Sequence, residues 1–584
     1  MRIRQPLRLK KMSKWGNPNQ VYCFFSIIVL LVLAIFSWWL MSYTFWWQDG
    51  QFVMRSHLWS DFAAHLPLIR SFSFGSNWPP EYPQYANEPI RYHFLFYLLV
   101  GLLEKVGISL GVALNLLSAL GLTGMLFLIY LITGELFASG QNKLGEGHVV
   151  LGKIFAGLLA VWLVLFNGSF TFVDYFQKNG FTLDAWVNIL KQEKFINFGP
   201  WNGDSISAFW HWNVYTNQRH LALSFALVLL MSLVLIKAQL STDHSVRQRV
   251  RVGLIIAWGF LILPFLNYAS FGIAGLLLGG WLVINARLAK FYWLPVLLGM
   301  SCALPGVMYF GSLGGQVTFN PGFLTPTKQL GAFLYYWWRN MGLYLPLWPI
   351  LLVVNRGLVR RWLLLISTLF VIANLFQLSP DMINNHKLIN FFQIGLVVAL
   401  SIKMSEWWFT KQRFISFINR VLIMLLLIPL SLSGWLDASA IIHDRVITVE
   451  DPSTTEQGQL LMQLVPPESV VVTNQYIYNP LNLIGRKTYL DYGYFAWSMG
   501  YQDHDRREKL KSIFAQNTNQ QEWCQLIESE QIDYLYFIPG TGDLKEYQPK
   551  SSWVLTQNRP SWIDAVGNSL YSVKLICSDS FQSL

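Results

Sequence analysis

Hydrophobic positions in this chain gather into continuous blocks rather than alternating along strands. The first runs from Val21 to Tyr43, and others follow at 112–134, 149–166, 220–236, 252–267, 270–286, 292–310, 341–355, 362–378, 388–404 and 421–437. Most approach the roughly 20 residues that an α-helix needs to cross the hydrocarbon core of a bilayer. Blocks without period-two alternation exclude a transmembrane β-barrel. The pattern predicts a polytopic α-helical membrane protein with about 11 transmembrane helices. A further apolar stretch, 92–108, is short and contains Glu104-Lys105, which predicts an interfacial helix rather than a crossing.

Basic residues give these crossings a direction. Arg2, Arg4, Arg8, Lys10, Lys11 and Lys14 precede the first block, and no small-residue cleavage site follows it. The block therefore reads as an uncleaved helix with its N-terminus in the cytoplasm. If 92–108 does not cross, the clusters Lys237/Arg247/Arg249/Arg251, Arg287/Lys290, Arg356/Arg360/Arg361 and Lys403/Lys411/Arg413/Arg420 all fall on that same side. Four external segments result, 44–91, 167–219, 311–340 and 379–387.

After Trp435 the composition becomes polar and mixed. Strand-like runs at Ser469–Thr473 and Tyr534–Ile538 alternate with helix-like segments at Arg507–Gln516 and Gln520–Glu530. The chain thus divides into a transmembrane part, 1–437, and a C-terminal extracytoplasmic α/β domain, 438–584. No internal repeat of the kind found in many transporters is evident.

Composition narrows the function. The chain is 53% hydrophobic and 13% charged, against about 25% charged in soluble domains, so a soluble enzyme and a disordered protein are both excluded. The net charge of +11 is explained by the cytoplasmic loops and needs no nucleic acid. Cys23 and Cys302 lie in apolar blocks, whereas Cys524 and Cys577 lie in the polar region and could pair if it is exported. There is no P-loop, no G-x-S-x-G elbow and no H-E-x-x-H. Asn167-Gly168-Ser169 matches the N-glycosylation acceptor pattern.

Candidate chemistry concentrates in the first external segment. It reads Trp59-Ser60-Asp61-Phe62-Ala63-Ala64-His65, then Ile69-Arg70-Ser71-Phe72, Asn77-Trp78-Pro79-Pro80-Glu81 and Arg91-Tyr92-His93-Phe94. With Ser60 as N-cap, Asp61 and His65 share one helix face. A carboxylate there could act as general base toward a hydroxyl or hold a cation; equally, it could serve the helix N-terminus electrostatically. Asp49, before Gly50, reads as a turn residue. Trp201, Trp210, His211, Trp212 and Tyr215 in the second external segment could wall a sugar site, or simply belong to an interfacial aromatic belt.

The Trp59–Glu81 segment with Tyr92-His93-Phe94 resembles the first external loop of GT-C glycosyltransferases. These are polyprenyl-phosphate-sugar-dependent enzymes that include the protein mannosyltransferases and the aminoarabinose transferases. The resemblance is to their poorly characterised bacterial and archaeal branch. It extends weakly to Asn217-Gln218-Arg219, Leu263-Pro264-Phe265, Asn384-Asn385-His386-Lys387, Gly485–Leu490 and Ile532-Asp533-Tyr534.

The resemblance implies transfer of a sugar from a polyprenyl-phosphate donor to an acceptor hydroxyl on the outer face of the plasma membrane, with inversion. Asp61 would be the base, with His65 beside it and Glu81 as a second acid. His93 would orient Asp61 or contact phosphate, or else merely start the interfacial helix. Lys387, Arg219, Arg91 and Arg339 would meet the lipid phosphate, or else snorkel to headgroups. A divalent metal is possible, and the acceptor could be a glycan, a lipid or a protein. Two other classes compete: a transporter or flippase for a lipid-linked glycan, and a non-catalytic membrane scaffold.

Overall fold

A computed structural model describes residues 18–140, 146–199, 205–312, 317–410, 413–514, 519–538, 560–564 and 567–578. In chain order the helices up to Ile442 are α1 (Pro18–Thr44), α2 (Trp59–Ser73), α3 (Leu95–Lys105), α4 (Leu110–Ser139), α5 (Glu146–Leu165), α6 (Thr171–Asn179), α7 (Leu183–Asn188), α8 (Trp212–Asn217), α9 (Arg219–Leu240), α10 (Val246–Leu266), α11 (Tyr268–Ile284), α12 (Ala286–Ser301), α13 (Leu304–Gly311), α14 (Leu330–Met341), α15 (Tyr344–Val354), α16 (Gly357–Leu375), α17 (His386–Trp408) and α18 (Arg413–Ile442).

Among the described residues eight helices are long and apolar enough to cross a membrane: α1, α4, α5, α9, α10, α16, α17 and α18. The α12/α13 pair, bent by 45°, makes a ninth candidate, and α11 and α15 are shorter apolar helices. Together these match the eleven blocks read from sequence. The chain is a polytopic α-helical membrane protein with a small sheet-containing C-terminal region.

The 92–108 stretch yields α3, only 11 residues long, lying against α2 and α4. The α2–α3 contact is close. A Cβ on Gly101 would stand 2.7 Å from the Ile69 carbonyl oxygen and 2.8 Å from Phe72 Cβ.

Outside the bundle, β1 (Phe45–Gln48) and β2 (Gln51–Arg55) form an antiparallel hairpin, joined by β3 (Val446–Glu450) from beyond α18. The order is β1-β2-β3. The C-terminal region then builds β4 (Val470–Thr473), β5 (Lys487–Thr488), β6 (Tyr534–Phe537), β7 (Trp562–Ile563) and β8 (Ser569–Ser572) into a five-stranded mixed sheet of order β5-β4-β6-β8-β7. Helices flank it at Arg507's segment, His504–Ile513, and at Gln520–Ser529. Cys524 and Cys577 are joined by a disulfide.

Two large cores result. One belongs to the membrane helices. The other combines the first external segment with the C-terminal region, so that Phe52, Phe62 and Tyr82 pack in one cluster with Tyr478, Tyr489 and Trp523. The change of composition at 438 therefore falls inside α18, which runs on to Ile442.

The Gly485–Asp491 segment explains this union. Arg486 donates to the carbonyls of Val465 at 2.6 Å, Met462 at 2.7 Å and Phe74 at 3.3 Å. Lys487 pairs with Glu81 at 2.9 Å. Thr488 N–H donates to Pro83 O, and Ala86 N–H donates to Thr488 O.

Candidate active site

Asp61 stands in the first turn of α2. Ser60 does not cap this helix: a single 3₁₀ turn, Ser56–Leu58, leads into it, and Leu58 occupies the N-cap without a side-chain hydrogen bond. Asp61 is half-buried, and among the described residues its carboxylate makes no hydrogen bond and no ion pair. Burial raises its pKa to about 6, and the nearby Lys387 ammonium limits that rise.

Lys387 comes from the first turn of α17 and is 5% exposed. It donates to Asn384 Oδ1 at 3.1 Å. The two opposite charges interact without a direct salt bridge.

Histidines and tyrosines are the electrostatic neighbours of this pair. His65, one turn beyond Asp61, is buried and packs against Tyr97 with ring centroids 4.8 Å apart and the planes tilted by 32°. Burial, with the positive charges of Arg219 and Lys387, lowers the His65 pKa to about 3, so its imidazole is neutral. His93 lies against Tyr92 and hydrogen-bonds His220, Nε2 to Nε2, at 2.6 Å. The second nitrogen of His220 meets Tyr97 Oη at 2.9 Å. Burial, then Lys387 and His65, also hold His93 neutral. Burial and the Asp61 charge raise the Tyr92 pKa.

The structure therefore brings Asp61, His65, His93 and Lys387 together. Of the other sequence candidates, Arg219 lies against this group, and Arg339, Arg91 and Glu81 are engaged with other partners. Arg219 is 1% exposed and directs its donors inward, to Thr216 O, Asn115 Oδ1, Met41 O and Thr44 Oγ1 at 2.5–3.1 Å. It ties α1, α4 and α8 beneath the site. Arg339 is held by Asp174 at 2.5 Å. Arg91 donates to Gly500 O at 2.9 Å and lies over the Tyr501 ring. Glu81 is engaged by Lys487 and by the Asn87 N–H.

In the second external segment Trp210, His211, Trp212 and Tyr215 are buried core residues, and Trp201 lies outside the described residues. Among the described residues no group of three or more His, Cys, Asp or Glu is arranged to hold a metal. A divalent cation at Asp61 would find one carboxylate and, behind it, two imidazoles bonded to each other.

Several site residues carry no sequence signal of their own. His220 follows Arg219 at the start of an apolar helix. Asp381 is brought near Lys387 by the external turn before α17 and accepts from Ile383 N–H at 3.2 Å. Tyr478 and Tyr494 reach the surroundings of Asp61 from the C-terminal region, where the Asp61 charge is among the causes that raise their pKa values, after burial. Asp444 clasps His57 Nδ1 at 2.7 Å and Ser56 Oγ at 2.5 Å just before α2. Pairings across nearly 400 residues leave no local period to detect.

No protein-family model matches the chain, and no curated protein matches it. Solved structures do. Archaeal oligosaccharyltransferase AglB from Archaeoglobus fulgidus, in complex with an inhibitory peptide and a dolichol-phosphate, aligns at 14% identity over 88% of this chain and 69% of its own, with a TM-score of 0.42. ArnT from Cupriavidus metallidurans in the apo state aligns at 12% identity over 95% and 98%, with a TM-score of 0.44. ArnT bound to undecaprenyl phosphate aligns at 10% identity over 94% and 98%, with a TM-score of 0.43. With TM-scores below 0.5 these likenesses carry no argument about this chain, and its chemistry has to be read from its own side chains.

Proposed function

We propose that this protein is a membrane glycosyltransferase that moves a sugar from a polyprenyl-phosphate donor to an acceptor hydroxyl, with inversion, on the outer face of the membrane. The observation that carries the reading is the Asp61 carboxylate without a protein partner, facing a buried Lys387 ammonium.

The acceptor oxygen attacks C1 of the sugar, and its proton passes to an Asp61 oxygen. The bond between C1 and the phosphate oxygen breaks, and its electron pair remains on the lipid phosphate. Lys387 offsets the charge that develops there. With a pKa of about 6, Asp61 is mostly ionised at neutral pH and basic enough to accept a proton. Neutral His65 and His93 can orient hydroxyls without competing for the negative charge. Arg219 supports the site from below rather than touching phosphate. Glu81 fixes the first external segment to the C-terminal region.

The test is mass spectrometry of envelope lipids and glycans from a deletion strain complemented with wild type or Asp61→Asn at matched membrane levels. Wild type should restore a sugar-bearing species that the variant does not. Restoration by Asp61→Asn would remove Asp61 as the base and with it this mechanism.

A further inference from the structure

The second external segment carries an apolar surface that the proposed reaction does not use. α7 continues through a 3₁₀ turn, Ile189–Lys191. Along these nine residues two different apolar faces appear. Ala185 and Ile189 are buried in one cluster with Tyr175 of α6 and with Leu432 and Leu436 of α18. Leu183, Val187 and Leu190, spaced i, i+4 and i+7, form the second face, and they are 80%, 49% and 60% exposed. Phe181, just before the helix, is 77% exposed and joins an aromatic cluster with Phe176 and Trp186. A soluble loop would turn such a stripe inward or make it polar.

The level at which this hairpin meets α18 indicates what covers the stripe. The outward surface of α18 is apolar and exposed from Phe414 to Ile428, then becomes buried from Leu430 onward, where the hairpin lies against it. A crossing of about 20 residues that starts at Phe414 ends near residue 434, and one that starts at Arg420 ends near residue 440. Leu432 lies inside both limits and Leu436 lies between them, so the hairpin meets α18 at the edge of the hydrocarbon rather than above it. Its outward face continues the lipid-facing surface of α18. Lys178 and Lys191, both exposed, flank the stripe where lipid phosphates would stand.

We propose that α7 and its following turn are a monotopic foot, with Phe181, Leu183, Val187 and Leu190 inserted into the outer leaflet. The occupant of this face is bilayer lipid. The inference does not depend on the glycosyltransferase reading.

Single cysteines at Leu183→Cys, Leu190→Cys and Asn188→Cys, each in a Cys23→Ser/Cys302→Ser background with the native disulfide kept, carry a nitroxide label. The full-length protein is placed in nanodiscs of phosphatidylcholine and phosphatidylglycerol. Collision rates with oxygen and with a water-soluble nickel chelate are then measured. Labels at 183 and 190 should be reached by oxygen and shielded from nickel, with an oxygen-to-nickel ratio several-fold above that at 188. A nickel accessibility at 183 and 190 equal to that at 188 would place the face in water. Shielding from both reagents would place it against protein, such as a second copy of the chain. Either result overturns the proposal.

Discussion

Asp61 is a carboxylate that folding places in an environment favouring its neutral form, and Lys387 restores part of its ionisation. If this pair does the chemistry, the rate should rise with pH through about 6, where Asp61 loses its proton. Lys387→Gln removes the opposing cation, so the rising limb should move to higher pH and the maximal rate should fall. A pH–rate profile of the two proteins checks both. Stability runs in the opposite sense. Because the folded pKa is raised, the native state binds more protons than the unfolded state between about pH 4 and 6, so Asp61's contribution is lost as pH rises through 6. Asp61→Asn should then be at least as stable as wild type at pH 7.5 while losing about 10²–10⁴-fold in rate. Arg219 should behave differently. Truncating this buried cation leaves its neutral acceptors unsatisfied, so Arg219→Ala should cost at least about 1–3 kcal/mol of stability, read as a loss of folded protein in detergent rather than as a rise in donor KM.

At the scale of elements, the membrane helices were legible because lipid on one side and protein on the other leave a continuous apolar run, and the eleven blocks reappear as helices or a bent pair. The candidates Asp61, His65 and His93 stood out through the pattern of the first external segment, and Lys387 through its place on a short turn directly before an apolar helix. The N-cap at Ser60 was misread, because the 3₁₀ turn before α2 is set by Asp444 from beyond α18 rather than by the loop itself. The role of Glu81 was hidden for the same reason, since its partner Lys487 lies 406 residues away. Gly485 marks that distant junction. It has a φ of +77°, and a Cβ there would stand 2.7 Å from both the Arg70 carbonyl oxygen and the Gly75 nitrogen. Gly485→Ala combines backbone strain with that clash, so it should loosen the C-terminal region from α2. Faster proteolysis within residues 456–578 and a lower melting temperature are the expected readings, with Gly275→Ala, where the nearest atom is 3.9 Å away, as the tolerated control.

For the whole molecule, the sidedness of the membrane follows from one compartment assignment. β2 pairs with β3, and the first external segment shares its core with the C-terminal region, so Asp61 and the Cys524–Cys577 disulfide must face the same side. Disulfides persist in oxidising compartments, and the positive-inside pattern leads one to expect the basic loops on the opposite, cytoplasmic side. In intact cells, Cys524 and Cys577 should therefore resist thiol alkylation until a reductant is added, and should then take up a membrane-impermeant maleimide. If both thiols are instead free in cells and closed to that reagent until lysis, the C-terminal region is cytoplasmic. Asp61 would then be cytoplasmic too, and the lipid-linked donor would have to present its sugar to the inner leaflet. The same alkylation pattern thus fixes where the proposed reaction would occur, because no fold that keeps the shared core can separate Asp61 from the disulfide.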